Sequence, residues 1–217
     1  MPKGQRGGLV YGYGINDIVG NEIDGYANSK NKCYQTWGGI LERCFSESFH
    51  EKYTSYIGTT LCDEWKYYSE FKKWYDDNKK DGYELDKDII GGNRKHYSPS
   101  TCAFVPSIIN CCILDGKKRT LNLLPLGITY HKAEKYKNKP YETQLRRYKK
   151  LISYGYHSTP EEAHKARQIA KRDYLLELMD KYSSDVIPEV INGLQRRVDI
   201  LSYDIINGNI TISINQV

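Results

Sequence analysis

The chain, 217 residues long, predicts an α+β fold: a lobe of short strands with flanking helices, then a three-stranded antiparallel sheet packed on one helix. Three patterns predict it. Apolar residues recur at helical spacings through 31–45 and again through 62–77, the period of a helix with one buried face. From Thr120 onward the texture changes to short β runs divided by turn residues. Thr159-Pro160-Glu161-Glu162 is a helix start, with Thr as N-cap, Pro at the first helical position and Glu162 completing a capping box.

Taken in order, residues 1–30 are rich in Gly, Asn and Asp and read as an extended arm, with Lys3 and Arg6 near its tip. In the first helix Tyr34, Trp37, Ile40, Leu41 and Cys44 would face one way. Residues 46–52 are polar and loop-like, and 53–61 suit an extended stretch. A second helix over 62–77 aligns Trp65, Tyr68, Phe71 and Trp74 at three-residue steps, which marks a core face rather than a base-stacking platform. Lys79-Lys80-Asp81-Gly82 is a turn before a strand at 83–89, and Gly91-Gly92-Asn93 is another turn. An apolar stretch at 102–105 leads into a short helix at 106–114. Strands are expected at 126–130, 141–149 and 151–156, with a turn at 137–140. The Thr159-capped helix should run to about Tyr182. A short helix near 188–198 precedes a hairpin, in which Asn207-Gly208 turns the chain between Ile205-Ile206 and the alternating Ile210, Ile212 and Ile214. The implied organisation is an arm (1–30), a first lobe (31–115), a sheet-and-helix domain (116–182) and a terminal helix and hairpin (183–217).

Composition excludes some classes of function. No run of about eighteen apolar residues is present, so no membrane partner is expected. The first residues lack the apolar stretch of a signal peptide, and the six cysteines are too few for a disulfide scaffold. A cytoplasmic chain with reduced thiols follows as the expectation. The net charge of +5 is unevenly placed. Residues 1–115 carry 14 Lys and Arg against 16 Asp and Glu, whereas 116–150 carries 11 basic residues and two acids. That window interleaves its cations with Leu, Ile and Tyr, which points to a folded polyanion surface rather than a solvated tail.

The window also carries a family resemblance. Leu126-Gly127-Ile128 and Gly155-Tyr156-His157-Ser158-Thr159-Pro160-Glu161-Glu162-Ala163 make 120–182 resemble the ethylene-response-factor type of DNA-binding domain, which occurs in plants and in phage and mobile-element proteins. The resemblance implies that the sheet lies in the major groove of double-stranded DNA with the helix behind it. A β-ribbon fits that groove. The residues expected on DNA are Lys132, Lys135, Arg146, Arg147 and Lys149, with Tyr130 and Tyr148 packing on sugar or base. Alternation puts Gln144, Arg146 and Tyr148 on one face of the middle strand, and Leu145, Arg147 and Lys149 on the other.

Upstream, Tyr83-Glu84-Leu85-Asp86-Lys87-Asp88, Gly92-Asn93 and the stretch from Tyr97 to Pro106, with Asn110, resemble the strand–loop–strand–helix unit of HNH (His-Me finger) endonucleases. A segment like Trp37…Arg43-Cys44-Phe45 and Cys62-Asp63-Glu64-Trp65 precedes the finger in a phage group of that family. The family uses a histidine base beside a divalent metal. Here that histidine position falls on or next to Lys87, and the Asn position becomes Thr101, so the resemblance implies impaired or lost nuclease chemistry. Asp86 and Asp88 remain as candidate Mg2+ ligands, and His96 as a substitute base. An active DNA-nicking enzyme is one alternative. Another is a phage-encoded factor, acting in the host cytosol, that inhibits a host defence or transcription complex. The cysteines contain no C-x-x-C pair, and His50, His131, His157 and His164 show no i,i+4 pairing. Gly12 and Gly14 follow no strand and make no nucleotide motif.

Overall fold

The computed structural model describes residues 8–18, 31–114 and 124–215. The chain is mixed α+β and divides between Phe104 and Val105 into two compact units.

The first unit is built around tryptophan. α1 (Lys32–Phe45) begins where the Asn31 side chain accepts from the Tyr34 N–H at 3.0 Å. Its apolar stripe buries Trp37, Ile40 and Leu41 completely. The indole of Trp37 donates to the Trp65 carbonyl at 2.8 Å, which satisfies the one polar atom of a large buried ring. Residues 47–52, which lack an apolar stripe, nevertheless form α2 (Glu47–Lys52). Ser46 explains this: it terminates α1, and its hydroxyl accepts from the Phe49 N–H to start α2.

The helix expected over 62–77 is divided. Glu64–Lys66 forms a 3-10 turn, Tyr67 is extended, and α3 runs Tyr68–Asn78. The division comes from far away in sequence. Ile15 exchanges backbone hydrogen bonds with Lys66 and Tyr68 at 2.8 and 2.9 Å, holding Tyr67 in strand geometry. Trp65, Tyr68 and Phe71 still enter the core, as their spacing predicts.

Residues 8–18 are therefore no loose arm. Val10 is buried, and Tyr13 stacks on Phe45 at 4.2 Å between ring centroids. Gly14 lies so close to α1 that a Cβ there would meet Leu41 at 2.3 Å and Trp37 at 2.8 Å, so a larger residue would force these buried side chains to move. Lys3 and Arg6 lie outside the described residues.

The strands of this region are short. β1 (Thr60–Leu61) pairs in parallel with β3 (His96–Tyr97), and β2 (Tyr83–Asp86) pairs with β4 (Ala103–Pro106). The strand expected to continue to Ile89 stops at Asp86, and a single helical turn, α4 (Asp88–Gly91), follows.

In the second unit α5 (Ser107–Ile113) precedes an antiparallel sheet of β5 (Ile128–Tyr130), β6 (Tyr141–Arg147) and β7 (Lys150–His157), in that order. α6 (Pro160–Tyr182) packs on it. Its N-cap forms as expected, Thr159 Oγ1 accepting from the Glu162 N–H, while the Glu162 carboxylate reaches one residue past the cap and accepts from the Ser158 N–H, both at 3.1 Å.

The terminal hairpin is absent. α7 extends from Pro188 to Asn207, so Ile205 and Ile206 are helical, and 209–215 forms no strand. Asn-Gly serves hairpin turns and helix ends alike, because both require a left-handed residue. Gly208 (φ +68°) ends α7, and the Asn209 N–H returns to the Asp204 carbonyl at 2.9 Å. Among the described residues no helix is long and apolar enough to cross a membrane.

Candidate nucleic-acid interface

The residues expected to carry nuclease chemistry are engaged structurally. Asp86 is buried at the end of β2, and its Oδ1 accepts from the N–H groups of Asp88 and Ile89 at 2.9 and 2.7 Å, which closes the first turn of α4. Burial raises its carboxyl pKa, Asp88 adds to the rise, and the Ile89 N–H opposes it. Asp88 belongs to the helical turn, not to the strand, and pairs with Lys87. His96 lies on β3, in a different sheet from Asp86, and its Nδ1 contacts Thr60 Oγ1 at 2.8 Å. Among the described residues no three His, Cys, Asp or Glu side chains converge as a metal site. The donors present do not fit Mg2+, since two backbone N–H groups occupy Oδ1 of the buried Asp86 and Lys87 pairs with Asp88. Thr101 binds locally, donating to the His96 carbonyl at 2.7 Å. Cys102 is a core residue, and burial pushes its thiol up to about 12.

The sheet of the second unit has one covered and one open face. Thr143 is fully buried, and its hydroxyl donates to the Ala163 carbonyl of α6 at 2.7 Å. Leu145 and Arg147 follow at two-residue steps on the same side. Arg147 pairs with Glu177 of α6 and stacks over Tyr174. Glu142, Gln144 and Arg146 therefore face away from α6. Their cross-strand partners Thr129 and Tyr156, Ser153, and Leu151 share the open face. A bulge sets Tyr154 and Gly155 opposite Thr143 and keeps these partners in register.

The expected DNA residues separate into three groups. Arg146 lies on the open face, and its Nη1 donates to the Lys149 carbonyl at 2.8 Å. Lys132 and Lys135 are exposed in the β5–β6 connection, together with Lys137 and Lys139. Lys149 and Lys150 are exposed at the other end of β6, at the β6–β7 turn. Arg147 and Tyr148 turn toward α6. The Tyr148 N–H donates to Tyr174 Oη at 2.9 Å, and its hydroxyl donates to Glu177 at 2.8 Å. Tyr130 pairs with Tyr141 on the helix-side parity of the sheet. Lys117, Lys118 and Arg119 lie outside the described residues.

At the centre of the open face is Glu142, whose side chain is only 7% exposed. Its Oε2 accepts from His131 Nε2 at 2.7 Å and from Gln144 Nε2 at 3.0 Å. Burial works to raise its carboxyl pKa, but hydrogen bonds from Ser153, His131 and Gln144 outweigh it and the net shift is downward. Tyr136 and Tyr156 stack beside it at 4.7 Å. The polar strip of Gln144 and Ser153, with exposed Leu151, escapes a search for cations. Its signal in the sequence is the two-residue parity shared with Arg146.

Comparisons with family models, with curated proteins and with solved structures find no match.

Proposed function

We propose that the second unit binds double-stranded DNA by laying the open face of β5–β7 in the major groove. The observation that carries this reading is the distribution of charge around that face. Four lysines (Lys132, Lys135, Lys137, Lys139) occupy one end of β6, and Arg146, Lys149 and Lys150 occupy the other. Between them Gln144 and Ser153 form a neutral hydrogen-bonding strip beside the buried Glu142. β6 spans roughly 20 Å at about 3.3 Å per residue, long enough for its cationic ends to reach phosphates flanking a groove about 12 Å wide. The strip then meets base edges. Arg146 can pair bidentately with guanine, and Leu151 opposite it offers apolar contact to a thymine methyl. The carboxylate of Glu142 is buried and turned to internal donors, so it offers its oxygens to His131 and Gln144 and not to the duplex.

The test is duplex binding across a salt series. Six lysines on phosphate give a slope of log affinity against log salt of about −5. Arg146→Ala should weaken preferred sequences more than others, whereas Lys149→Ala with Lys150→Ala should weaken all sequences and flatten the slope by roughly 2. Absent or salt-insensitive binding would refute the reading.

A further inference from the structure

The open face contains an amide whose orientation is imposed by a neighbouring carboxylate. Gln144 directs Nε2 to Glu142 Oε2 at 3.0 Å. An ionised carboxylate only accepts hydrogen bonds, so the amide must offer its NH2 there and cannot turn over. Glu142 is held ionised by the donors around it, His131 and Ser153 besides Gln144. It is fixed in position as well, because its backbone is paired on both sides, opposite Thr129 of β5 and Tyr156 of β7. Gln144 Oε1 takes no protein hydrogen bond among the described residues, and one amide hydrogen remains beyond the one given to Glu142.

We propose that Gln144, locked by Glu142, is a specificity-determining residue that selects adenine, with Glu142 as its positioning residue. This rests on the DNA-binding reading and deepens it. The major-groove edge of adenine presents an acceptor at N7 and a donor at N6, which complement the free N–H and Oε1 of an amide. Guanine presents acceptors at both positions, and a freely rotating glutamine can offer NH2 to either of them. Glu142 removes that option, so guanine faces Oε1 with O6 and is rejected. A fixed amide discriminates where a mobile one adapts. Gln144 and Arg146 project from one face two residues apart, about 6.6 Å along the strand. The adenine should therefore lie about two base pairs from the guanine read by Arg146, given a base-pair rise of roughly 3.4 Å.

The experiment selects bound duplexes from a randomised pool with the full chain and its variants Glu142→Gln, Gln144→Ala and Arg146→Ala, each checked for native circular dichroism. The wild type should enrich a guanine and, about two positions away, an adenine. Gln144→Ala and Glu142→Gln should lose the adenine preference and keep the guanine, and Arg146→Ala should do the reverse. Replacing that adenine by 2-aminopurine, which lacks the N6 amino group, should cost the wild type roughly tenfold in affinity and the Glu142→Gln variant less than about threefold. A purely structural role for Glu142 would lower affinity for every sequence and leave the base preferences unchanged. An adenine preference that survives in Gln144→Ala or Glu142→Gln, or a wild type without one, overturns the inference and leaves DNA binding standing. Absence of any enriched or retained duplex would instead sink the DNA-binding reading, and this inference with it.

Discussion

The turn joining β6 to β7 consists of Tyr148 at φ +47° and Lys149 at φ +64°. Both lie in the left-handed region, which costs a residue other than glycine about 1–2 kcal/mol. Tyr148 is compensated by Tyr174 and Glu177, and by Lys181 over its ring at 4.7 Å. Lys149 is exposed, and its side chain makes no hydrogen bond or ion pair among the described residues. Lys149→Gly therefore removes strain without removing a contact. The greater freedom of glycine in the unfolded chain takes back about 0.5–1 kcal/mol, leaving a net stabilisation of roughly 0–1.5 kcal/mol. At about 2–4 °C per kcal/mol for a chain of this size, the unfolding midpoint should rise by up to about 6 °C. The same substitution deletes a cation proposed to meet phosphate, so the salt slope of duplex binding should become shallower by about 0.9. Thermal unfolding followed by circular dichroism and duplex binding followed by fluorescence anisotropy read the two effects separately. A variant less stable than wild type would refute the strained turn, and an unchanged slope would refute the contact to phosphate.

Three further outcomes follow from the same packing. Arg197, 2% exposed, donates through Nε and Nη2 to Asn215 Oδ1 at 3.0 and 2.6 Å, and Asn215 Nδ2 donates to the Ile113 carbonyl at 2.9 Å. Asn215→Ala should cost about 2–3 kcal/mol in urea unfolding, because a buried guanidinium loses acceptors. His164 is buried, and its Nε2 accepts from the Thr211 N–H at 3.1 Å; burial lowers its pKa, Arg167 lowers it further, and Asp204 opposes them. The unfolded chain thus takes up a proton that the fold rejects, so stability is complete above the unfolded imidazole value of about 6.5 and falls as pH drops through it. His164→Gln, which can still accept from Thr211, should flatten the unfolding midpoint between pH 8 and pH 5. Asp86→Ala removes the acceptor that closes the first turn of α4 and should cost about 0.5–2 kcal/mol by chemical denaturation, with no change in duplex affinity.

Local signals proved legible where local chemistry decides the outcome. α1 follows from its apolar spacing and α6 from its N-cap, since both depend on residues within a turn or two. The interruption at Tyr67 was hidden because its cause is Ile15, more than fifty residues away. α2 was missed because Ser46 caps it without help from any buried residue. The Asn207-Gly208 pair was misread because left-handed geometry ends a helix as readily as it turns a hairpin. On the candidate interface the lysines were visible as charge, and strand parity correctly grouped Gln144 with Arg146. Parity failed for Tyr148, which leaves the strand for the turn and binds α6. The buried carboxylate of Glu142 was invisible, because one of two Glu residues in a basic window gives no sign of the donors that Gln144, Ser153 and His131 bring to it.

Which face of the sheet meets DNA can be read from a titration of the isotope-labelled protein with duplex DNA, followed by amide chemical shifts. Thr129, Gln144, Arg146, Leu151 and Ser153 should shift together with the lysine-bearing ends, including the side-chain NH2 of Gln144. Glu177 and the other α6 residues that cover the opposite face should stay still. Shifts centred on α6 or α7, or none at all at low salt, would contradict binding through the open face.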